Sequence, residues 1–140
     1  MASPENVRRV RLQWMGEGLV FRGGDVGGPQ VAVDSAGVEG PTPMQFLLLA
    51  LAGCMAVDVR MILEKSRVPL ESLEVEVMGE RAEEAPRRFV RIALTYRVGG
   101  PTAGDDAKLW RAIELSRDKY CSVLHTLDPD VEFELRVERA

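Results

Sequence analysis

The chain has 140 residues, a common length for one folded domain, and 46% of them are hydrophobic while 29% are charged. These fractions argue against a disordered chain, a collagen-like repeat or a disulfide-stapled miniprotein. The net charge is −4, from 22 acidic and 18 basic side chains spread along the sequence, so we expect binding to neither nucleic acid nor membrane. The longest apolar run, residues 46–57, is shorter than the roughly 18 residues of a membrane span, so we expect no transmembrane helix.

The N-terminus and the cysteine content bear on location and redox chemistry. The opening MASPEN lacks the basic, apolar and small-residue zones of a secretory signal, so we expect a cytoplasmic protein. In that reducing compartment two cysteines are not expected to form a resting structural disulfide. Together with a single histidine they are a poor ligand set for zinc. We therefore expect no metal and no cofactor, and redox chemistry if the cysteines have a function.

Three short strands are predicted in the N-terminal part, over about residues 7–33. Val10, Leu12 and Trp14 alternate with polar residues, which is the period of a half-buried strand. Glycine-containing turns at 15–18 and 23–29 separate this segment from two further apolar segments. Because the turns are short, we expect a small antiparallel meander.

A long helix is predicted next, from about Pro43 to about Lys65. Thr42 can cap its first turn, and proline is favoured at the first helical position. Its middle, FLLLALAGCMAV, is apolar around the whole circumference, so we expect the helix to be buried on all sides. One chain of this size offers too little cover for such a helix. We therefore expect a homodimer in which two of these helices bury each other.

The remaining sequence predicts a second hairpin over about 70–98, helices over about 105–127 and a last strand over about 130–139. Strands grouped before and after a lone central helix favour an α+β fold over alternating βαβ units. We expect a single domain, 1–140, in which antiparallel sheets wrap around the long helix.

The candidate chemical residues are Cys54, in the long helix, and Cys121, before the last short helical segment. A free cysteine is often a small buried hydrophobe, so a structural pair of thiols is one interpretation. A redox site is the other, because a helix that starts at Cys121 would place unpaired N–H groups near its thiol and favour the thiolate. Asp58 lies four residues after Cys54. His125 lies four residues after Cys121 and could polarise that thiol, but a helical histidine with no catalytic part is the more common case. Asp58 is better suited to pair with a basic residue than to activate a thiol.

Two segments resemble one protein family. Residues 40–59, GPTPMQFLLLALAGCMAVDV, resemble the first-cysteine motif of the osmotically inducible protein C and organic hydroperoxide resistance family, in particular its YhfA-like branch. The second-cysteine segment of that family is similar to KYCSVLHTL, residues 119–127. With the predicted order of elements, the resemblance covers essentially the whole chain. It implies an intertwined homodimer whose two-cysteine site lies at the dimer interface.

The resemblance also implies a reaction. Cys54 would be the peroxidatic thiol, which a hydroperoxide oxidises to a sulfenic acid, and Cys121 the resolving thiol, which condenses with it to a disulfide that a dithiol reductant reopens. Peroxidase members hold the thiolate with a glutamate ten positions before the first cysteine and with an arginine from the N-terminal strands. Met44 occupies that glutamate position and Gln45 follows it. The loosest acceptable match for the arginine is Arg22, and other arginines available in the sequence are Arg11, Arg60 and Arg67.

We therefore expect thiol-dependent reduction of organic or inorganic hydroperoxides in oxidative-stress defence, with a dithiol as reductant. The alternative is non-enzymatic binding of a small apolar or electrophilic ligand at the dimer interface, in a pocket lined by Phe46, Leu49 and Cys54, with the thiols structural. Candidates for contact with the substrate are Arg22, Gln45, Phe46, Asp58, Arg60 and His125. Consumption of both thiols by a hydroperoxide would favour the enzyme.

Overall fold

A computed structural model describes residues 3–140. The chain divides into two compact units, one that ends at Leu47 and one that begins at Leu48. In the first unit, a short 3-10 turn (Pro4–Asn6) precedes the strands β1 (Val10–Trp14), β2 (Val20–Asp25) and β3 (Gln30–Asp34). These strands form an antiparallel sheet in the order β1-β2-β3, which confirms the predicted meander.

The loop after β3 is held by the buried carboxylate of Asp34. This carboxylate accepts hydrogen bonds from the backbone N–H groups of Ala36, Val38 and Glu39. The same N–H groups, that of Glu39 foremost, hold the pKa of Asp34 below its usual value. The loop therefore delivers the chain in a fixed form to the start of the long helix.

The long helix, α1, spans Pro43–Lys65, as predicted. Thr42 and Gln45 form a capping box at its start. The backbone N–H of Gln45 donates to the Thr42 hydroxyl (3.2 Å), and the backbone N–H of Thr42 donates to Oε1 of Gln45 (2.9 Å). Gln45, a candidate for substrate contact, thus has a structural role in this cap.

One stripe of α1 is buried, not its whole circumference. Leu51, Met55, Val59 and Leu63 recur at every fourth position and are at most 1% exposed. On the opposite face, more than half of the surface is exposed for Leu49, Val57 and Met61. The prediction of burial on all sides is wrong for a single chain, because one chain covers only one face of the helix.

The same helix bears on the expectation that the chain has no transmembrane helix. An 18-residue window of α1 has a mean hydropathy of 2.1, and the helix is long and apolar enough to cross a membrane by length and composition. Counting only the unbroken apolar run did not identify this helix as long enough, because a few charged residues near its C-terminal end interrupt the run but not the helix. Length and composition do not separate a membrane span from a core helix. Within this chain 22% of that window is buried, along the stripe from Leu51 to Leu63.

The second unit contains a sheet of β4 (Ser72–Arg81), β5 (Phe89–Gly99) and β6 (Glu132–Arg139), in the order β4-β5-β6. β4 and β5 are antiparallel, whereas β5 and β6 are parallel. The α+β class is thus confirmed, but the expectation of antiparallel sheets is wrong for β6. Between β5 and β6 the chain passes through a helical segment, and a crossover of this kind is what parallel pairing requires.

The helical segment between β5 and β6 is divided. After a 3-10 turn (Ala103–Asp105), α2 spans Asp106–Leu115, a π-helical turn spans Ser116–Tyr120, and α3 spans Ser122–Thr126. The sequence predicted one helix as far as Tyr120, followed by a short piece from Cys121. The π-helical turn shifts the phase of the last residues of the first helix, and such turns are frequent at functional sites.

Candidate functional site

Five side chains of the second unit form a polar cluster that contains both cysteines. Cys54 and Asp58 lie one turn apart on α1, and Tyr96 lies on β5. Ser116 is the first residue of the π-helical turn, and Cys121 directly follows that turn. Ser116 donates a hydrogen bond from Oγ to Oδ2 of Asp58 (2.8 Å). Burial raises the pKa of the Cys121 thiol and that of Tyr96. Cys54 and Asp58 add to the increase at Cys121, and Cys121 and Asp58 add to it at Tyr96. We call these five residues the thiol cluster.

Cys121 is enclosed by the chain. Its side chain is 0% exposed and is a free thiol. Burial raises its pKa to about 11, and the neighbouring Cys54 and Asp58 add to the increase, while a hydrogen bond from the backbone N–H of Leu124 to Sγ (3.4 Å) opposes it. The prediction that helix N–H groups favour a thiolate at Cys121 is wrong in its outcome, because the cost of burying a charge is larger than the stabilisation from one N–H group.

Cys54 is the accessible member of the pair. Its side chain is partly exposed and is also a free thiol. The neighbouring Gly53 is exposed, and an added Cβ at that position would meet nothing within 4 Å. In the single chain a small oxidant or a reductant can therefore reach Cys54 from solvent, whereas Cys121 is closed to it.

Asp58 has a hydroxyl partner and not the basic partner that we expected. Its carboxylate accepts from Ser116, which is 0% exposed. Within residues 3–140, none of the ion pairs includes Asp58. A buried serine hydroxyl is satisfied by this contact, and the carboxylate is fixed next to Cys121.

Two other candidates of the second unit have contacts outside the thiol cluster. Arg60 pairs with Glu64 (3.0 Å), and both side chains are more than half exposed. Nε2 of His125 lies 3.0 Å from the carbonyl oxygen of Arg117, and His125 is not among the groups that shift the pKa of Cys121. These contacts support the more common case, a helical histidine that does not act on the Cys121 thiol.

The remaining candidates belong to the first unit. Arg22 is exposed on β2, and its Nη2 donates to the carbonyl oxygen of Gln30 (3.4 Å). Phe46 is half-buried in the first turn of α1. Contact between these residues and a substrate stays a prediction.

Tyr96 and Ser116 were missed by the sequence analysis. Tyr96 is buried in a strand whose apolar and polar residues alternate, and a tyrosine at such a position is predicted to be an ordinary core residue. Ser116 continues the buried stripe of Leu109, Ala112 and Ile113, and from there its hydroxyl reaches Asp58. The usable signal for Ser116 was a small polar residue within an apolar helical stripe, next to Ile113.

A pocket of about 420 Å³ lies beside the thiol cluster and shares Asp58 with it. Its other lining residues are Met61, Ile62, Lys65, Ser66, Leu115 and Tyr120. None of these is Phe46, Leu49 or Cys54, which were expected to line a ligand pocket. The pocket therefore lies about three helical turns further along α1 than predicted.

Asp58→Asn is expected to lower the pKa of Cys121, because the substitution removes a negative charge that disfavours the thiolate. The measurement is a pH titration of thiolate ultraviolet absorbance in a Cys54→Ser background, where Cys121 is the remaining cysteine. Glu64→Gln is the matched control, since this carboxylate is exposed on α1 and pairs with Arg60. An unchanged titration in the Asp58 variant would contradict the contact between Asp58 and Cys121.

The fold and the thiol cluster can be compared with known proteins. The family of OsmC-like proteins matches residues 35–136. This chain belongs to that family. Protein YhfA of Escherichia coli K12 is 42% identical over 124 residues, which cover 88% of this chain and 91% of the relative. The resemblance identified in the sequence, including its branch, is thus confirmed.

Solved structures share the fold of this OsmC-like chain. A hypothetical protein from Aquifex aeolicus VF5 is 28% identical with a TM-score of 0.83, over 96% of this chain and 97% of the other. An OsmC-like protein from Mycoplasma pneumoniae is 15% identical with a TM-score of 0.78, over 97% of each chain. The organic hydroperoxide resistance protein OhrB of Bacillus subtilis is 16% identical with a TM-score of 0.61, over 94% of this chain and 98% of OhrB.

Proposed function

We propose that this protein reduces hydroperoxides at the expense of a dithiol, with Cys54 as the peroxidatic and Cys121 as the resolving cysteine. The observation that carries the proposal is the pairing of a partly exposed Cys54 with an enclosed Cys121, whose pKa is raised by burial and further by the neighbouring Cys54. Membership of the OsmC-like family supports it, as does a fold shared with proteins described as organic hydroperoxide resistance proteins.

The reaction divides into three steps. The Cys54 thiolate attacks the O–O bond and keeps the hydroxyl as a sulfenic acid, and the other oxygen takes a proton and leaves as the alcohol or as water. The Cys121 thiol then attacks the sulfenic sulfur, which forms a disulfide and releases water. A dithiol supplies two electrons to reopen the disulfide and is itself oxidised to a disulfide. The reducing cytoplasm, which we propose as the location, supplies such dithiols.

We further propose that the protein acts as a homodimer. The outer face of α1 exposes Leu49, Val57 and Met61, each more than half exposed. An apolar stripe of this size on a helix is typical of an interface. A second copy that packs against this stripe would cover it, and it would supply residues near Cys54 that one chain does not.

The alternative function is binding of a small ligand without turnover. The observation that favours it is the 420 Å³ pocket beside Asp58, lined by Met61, Ile62 and Leu115 on its apolar side. Such a pocket is large enough for a small apolar molecule. In that case the thiols would be structural, and hydroperoxide would leave them unchanged.

Titration of the reduced protein with an organic hydroperoxide, and separately with hydrogen peroxide, tests the enzyme. We expect one equivalent of peroxide to consume both free thiols of a chain, because Cys121 converts the sulfenic acid to a disulfide. Thiol counting and intact mass measure the outcome, and addition of a dithiol should restore both thiols and sustain turnover. Thiols that survive excess peroxide of both kinds would favour the ligand-binding alternative.

A further inference from the structure

Ser116 makes two hydrogen bonds that together connect Cys121 to the long helix. Its hydroxyl donates to Oδ2 of Asp58 on α1 (2.8 Å), and its backbone carbonyl oxygen accepts from the N–H of Cys121 (2.8 Å). The second bond spans five residues and closes the π-helical turn. One residue thus connects the helix that carries Cys54 to the backbone that carries Cys121.

The bond between Ser116 and Asp58 is a directional link between two elements. Within residues 3–140, it is the single hydrogen bond between α1 and the helical segment 103–127, and none of the ion pairs joins these elements. Apolar contacts are non-directional, so they do not fix the position of one helix along another. A hydrogen bond to a carboxylate does, because it needs a short distance and a suitable angle.

A serine at this position is not explained by packing. Ser116 is 0% exposed and follows the buried residues Leu109, Ala112 and Ile113 of the helical segment. Alanine would continue such a stripe at lower cost, because serine has the lower helix propensity and because a buried hydroxyl must find a partner. The bond to Asp58 is therefore the contact that accounts for the hydroxyl.

Asp58 places the other end of this link beside Cys54. Residues four apart lie on the same face of a helix, so Cys54 and Asp58 share one side of α1. The segment that ends at Cys121 is thus anchored on the side of α1 that carries Cys54. Burial raises the pKa of the Cys121 thiol, and Cys54 and Asp58 add to the increase, as groups on one side of α1 would.

We propose that Ser116 is a positioning residue that holds Cys121 beside Cys54 for the resolving step. The inference rests on the proposed function and assigns a residue to its second step. There a sulfur–sulfur bond forms, the S–O bond of the Cys54 sulfenic acid breaks, and the thiol proton of Cys121 leaves with the hydroxyl as water. The rate of such an intramolecular attack depends on the effective concentration of one sulfur at the other, which rises when both are held in place.

Ser116→Ala tests the inference, because it removes the hydroxyl and retains a helix-forming residue. Without the link, the segment around Cys121 must be ordered against α1 when the disulfide forms. We expect the equilibrium constant of the Cys54–Cys121 disulfide, measured in buffers of reduced and oxidised dithiothreitol, to fall about tenfold, the cost of ordering one more residue of backbone. Intact mass after alkylation of the free thiols gives the disulfide fraction.

The reaction with hydroperoxide gives a second readout of Ser116→Ala. Oxidation of Cys54 should keep its rate, whereas its sulfenic acid should last about ten times longer before the disulfide replaces it. A sulfenic-acid trapping reagent should therefore label Cys54 in this variant much more than in wild type. A slower first step with an unchanged second step would contradict a role of Ser116 in resolution.

Two controls separate positioning from stability. Thr126→Val removes a hydroxyl five residues after Cys121, which donates to the carbonyl oxygen of Ser122 (2.7 Å) and not to α1. Ile113→Val removes a buried methyl group from the stripe that contains Ser116, so it should lower the melting temperature and leave the link to α1 in place. Both controls should form the disulfide with the equilibrium constant of the wild type.

A double-mutant cycle tests whether Ser116 and Asp58 act as one link. Asp58→Ala removes the acceptor, and its effect on the equilibrium constant should not add to that of Ser116→Ala, so the double variant should resemble each single one. At pH 7 the thiol of Cys121, with a pKa of about 11, stays protonated, so the loss of charge at residue 58 has little effect on this equilibrium. If Ser116→Ala fails to fold, Asp58→Ala, at a half-buried position, provides the same test.

The result that overturns the role of Ser116 is an unchanged equilibrium constant in Ser116→Ala, an equal fall in Ile113→Val, or additive effects in the cycle. The equilibrium does not involve peroxide. A lower constant in Ser116→Ala therefore supports the inference even if hydroperoxide fails to oxidise Cys54, an outcome that counts against the proposed function alone. If the wild type forms no Cys54–Cys121 disulfide with oxidised dithiothreitol or with diamide, a chemical oxidant of thiols, the inference is overturned.

Discussion

Cys54→Ser is expected to abolish hydroperoxide consumption, whereas Cys121→Ser is expected to allow a single turnover and to leave a sulfenic acid on Cys54. The asymmetry follows from exposure, because Cys54 is partly open to solvent and Cys121 is fully enclosed. Burial also keeps Cys121 as a thiol, and the thiol is far less nucleophilic than the thiolate. Removal of the accessible sulfur therefore removes the first step. Removal of the enclosed sulfur removes only the resolving step.

Mass spectrometry after one addition of peroxide distinguishes these outcomes. In Cys121→Ser, a sulfenic-acid trapping reagent should label Cys54, and a second addition of peroxide should drive it to sulfinic acid in place of a catalytic cycle. Serine is the suitable replacement, because it preserves size and leaves one oxygen where the sulfur was. Oxidation of Cys121 in wild type, with Cys54 untouched, would reverse the assigned roles.

The long helix was predicted with its observed bounds, because its limits are set by local chemistry. Thr42 and Pro43 supply a cap and a first residue, and the capping box of Thr42 with Gln45 forms from neighbouring residues alone. The location of Cys54 on this helix followed directly. Features of this kind depend on a few adjacent residues, so they can be predicted from the sequence.

The parts that escaped prediction depend on residues far apart in the chain. The parallel pairing of β6 with β5 joins segments more than thirty residues apart, and the alternation of β6 is compatible with either direction. The contact between Ser116 and Asp58 joins α1 to a π-helical turn, whose phase differs from the regular helical period. Neither the partner of Asp58 nor the enclosure of Cys121 could therefore be derived from spacing.

Burial of α1 shows what periodicity leaves open. An apolar circumference predicts that all sides avoid water, but it does not say whether the cover comes from the same chain or from another. The structure assigns one stripe, from Leu51 to Leu63, to the chain's own core and leaves Leu49, Val57 and Met61 open. The same charged substitution on each face can distinguish the face covered by this chain from the face left open.

Leu51→Asp is expected to unfold the chain, because residue 51 is 1% exposed and a carboxylate there would be buried without a partner. Loss of the leucine alone costs about 2–5 kcal/mol, and the buried charge adds to this, against a total stability of about 5–15 kcal/mol for a typical domain. Circular dichroism should show loss of native secondary structure, and the variant should be recovered poorly as soluble protein.

Val57→Asp is the matched substitution on the opposite face, where the side chain is 57% exposed and a carboxylate remains in water in the single chain. Its circular dichroism should stay native, while sedimentation should show a shift from dimer to monomer if a second copy covers this face. A native Leu51→Asp chain would refute the core assignment, and a Val57→Asp protein that stays dimeric would refute the proposed interface. Because both variants carry the same new charge on one helix, a difference between them reports which face each residue occupies.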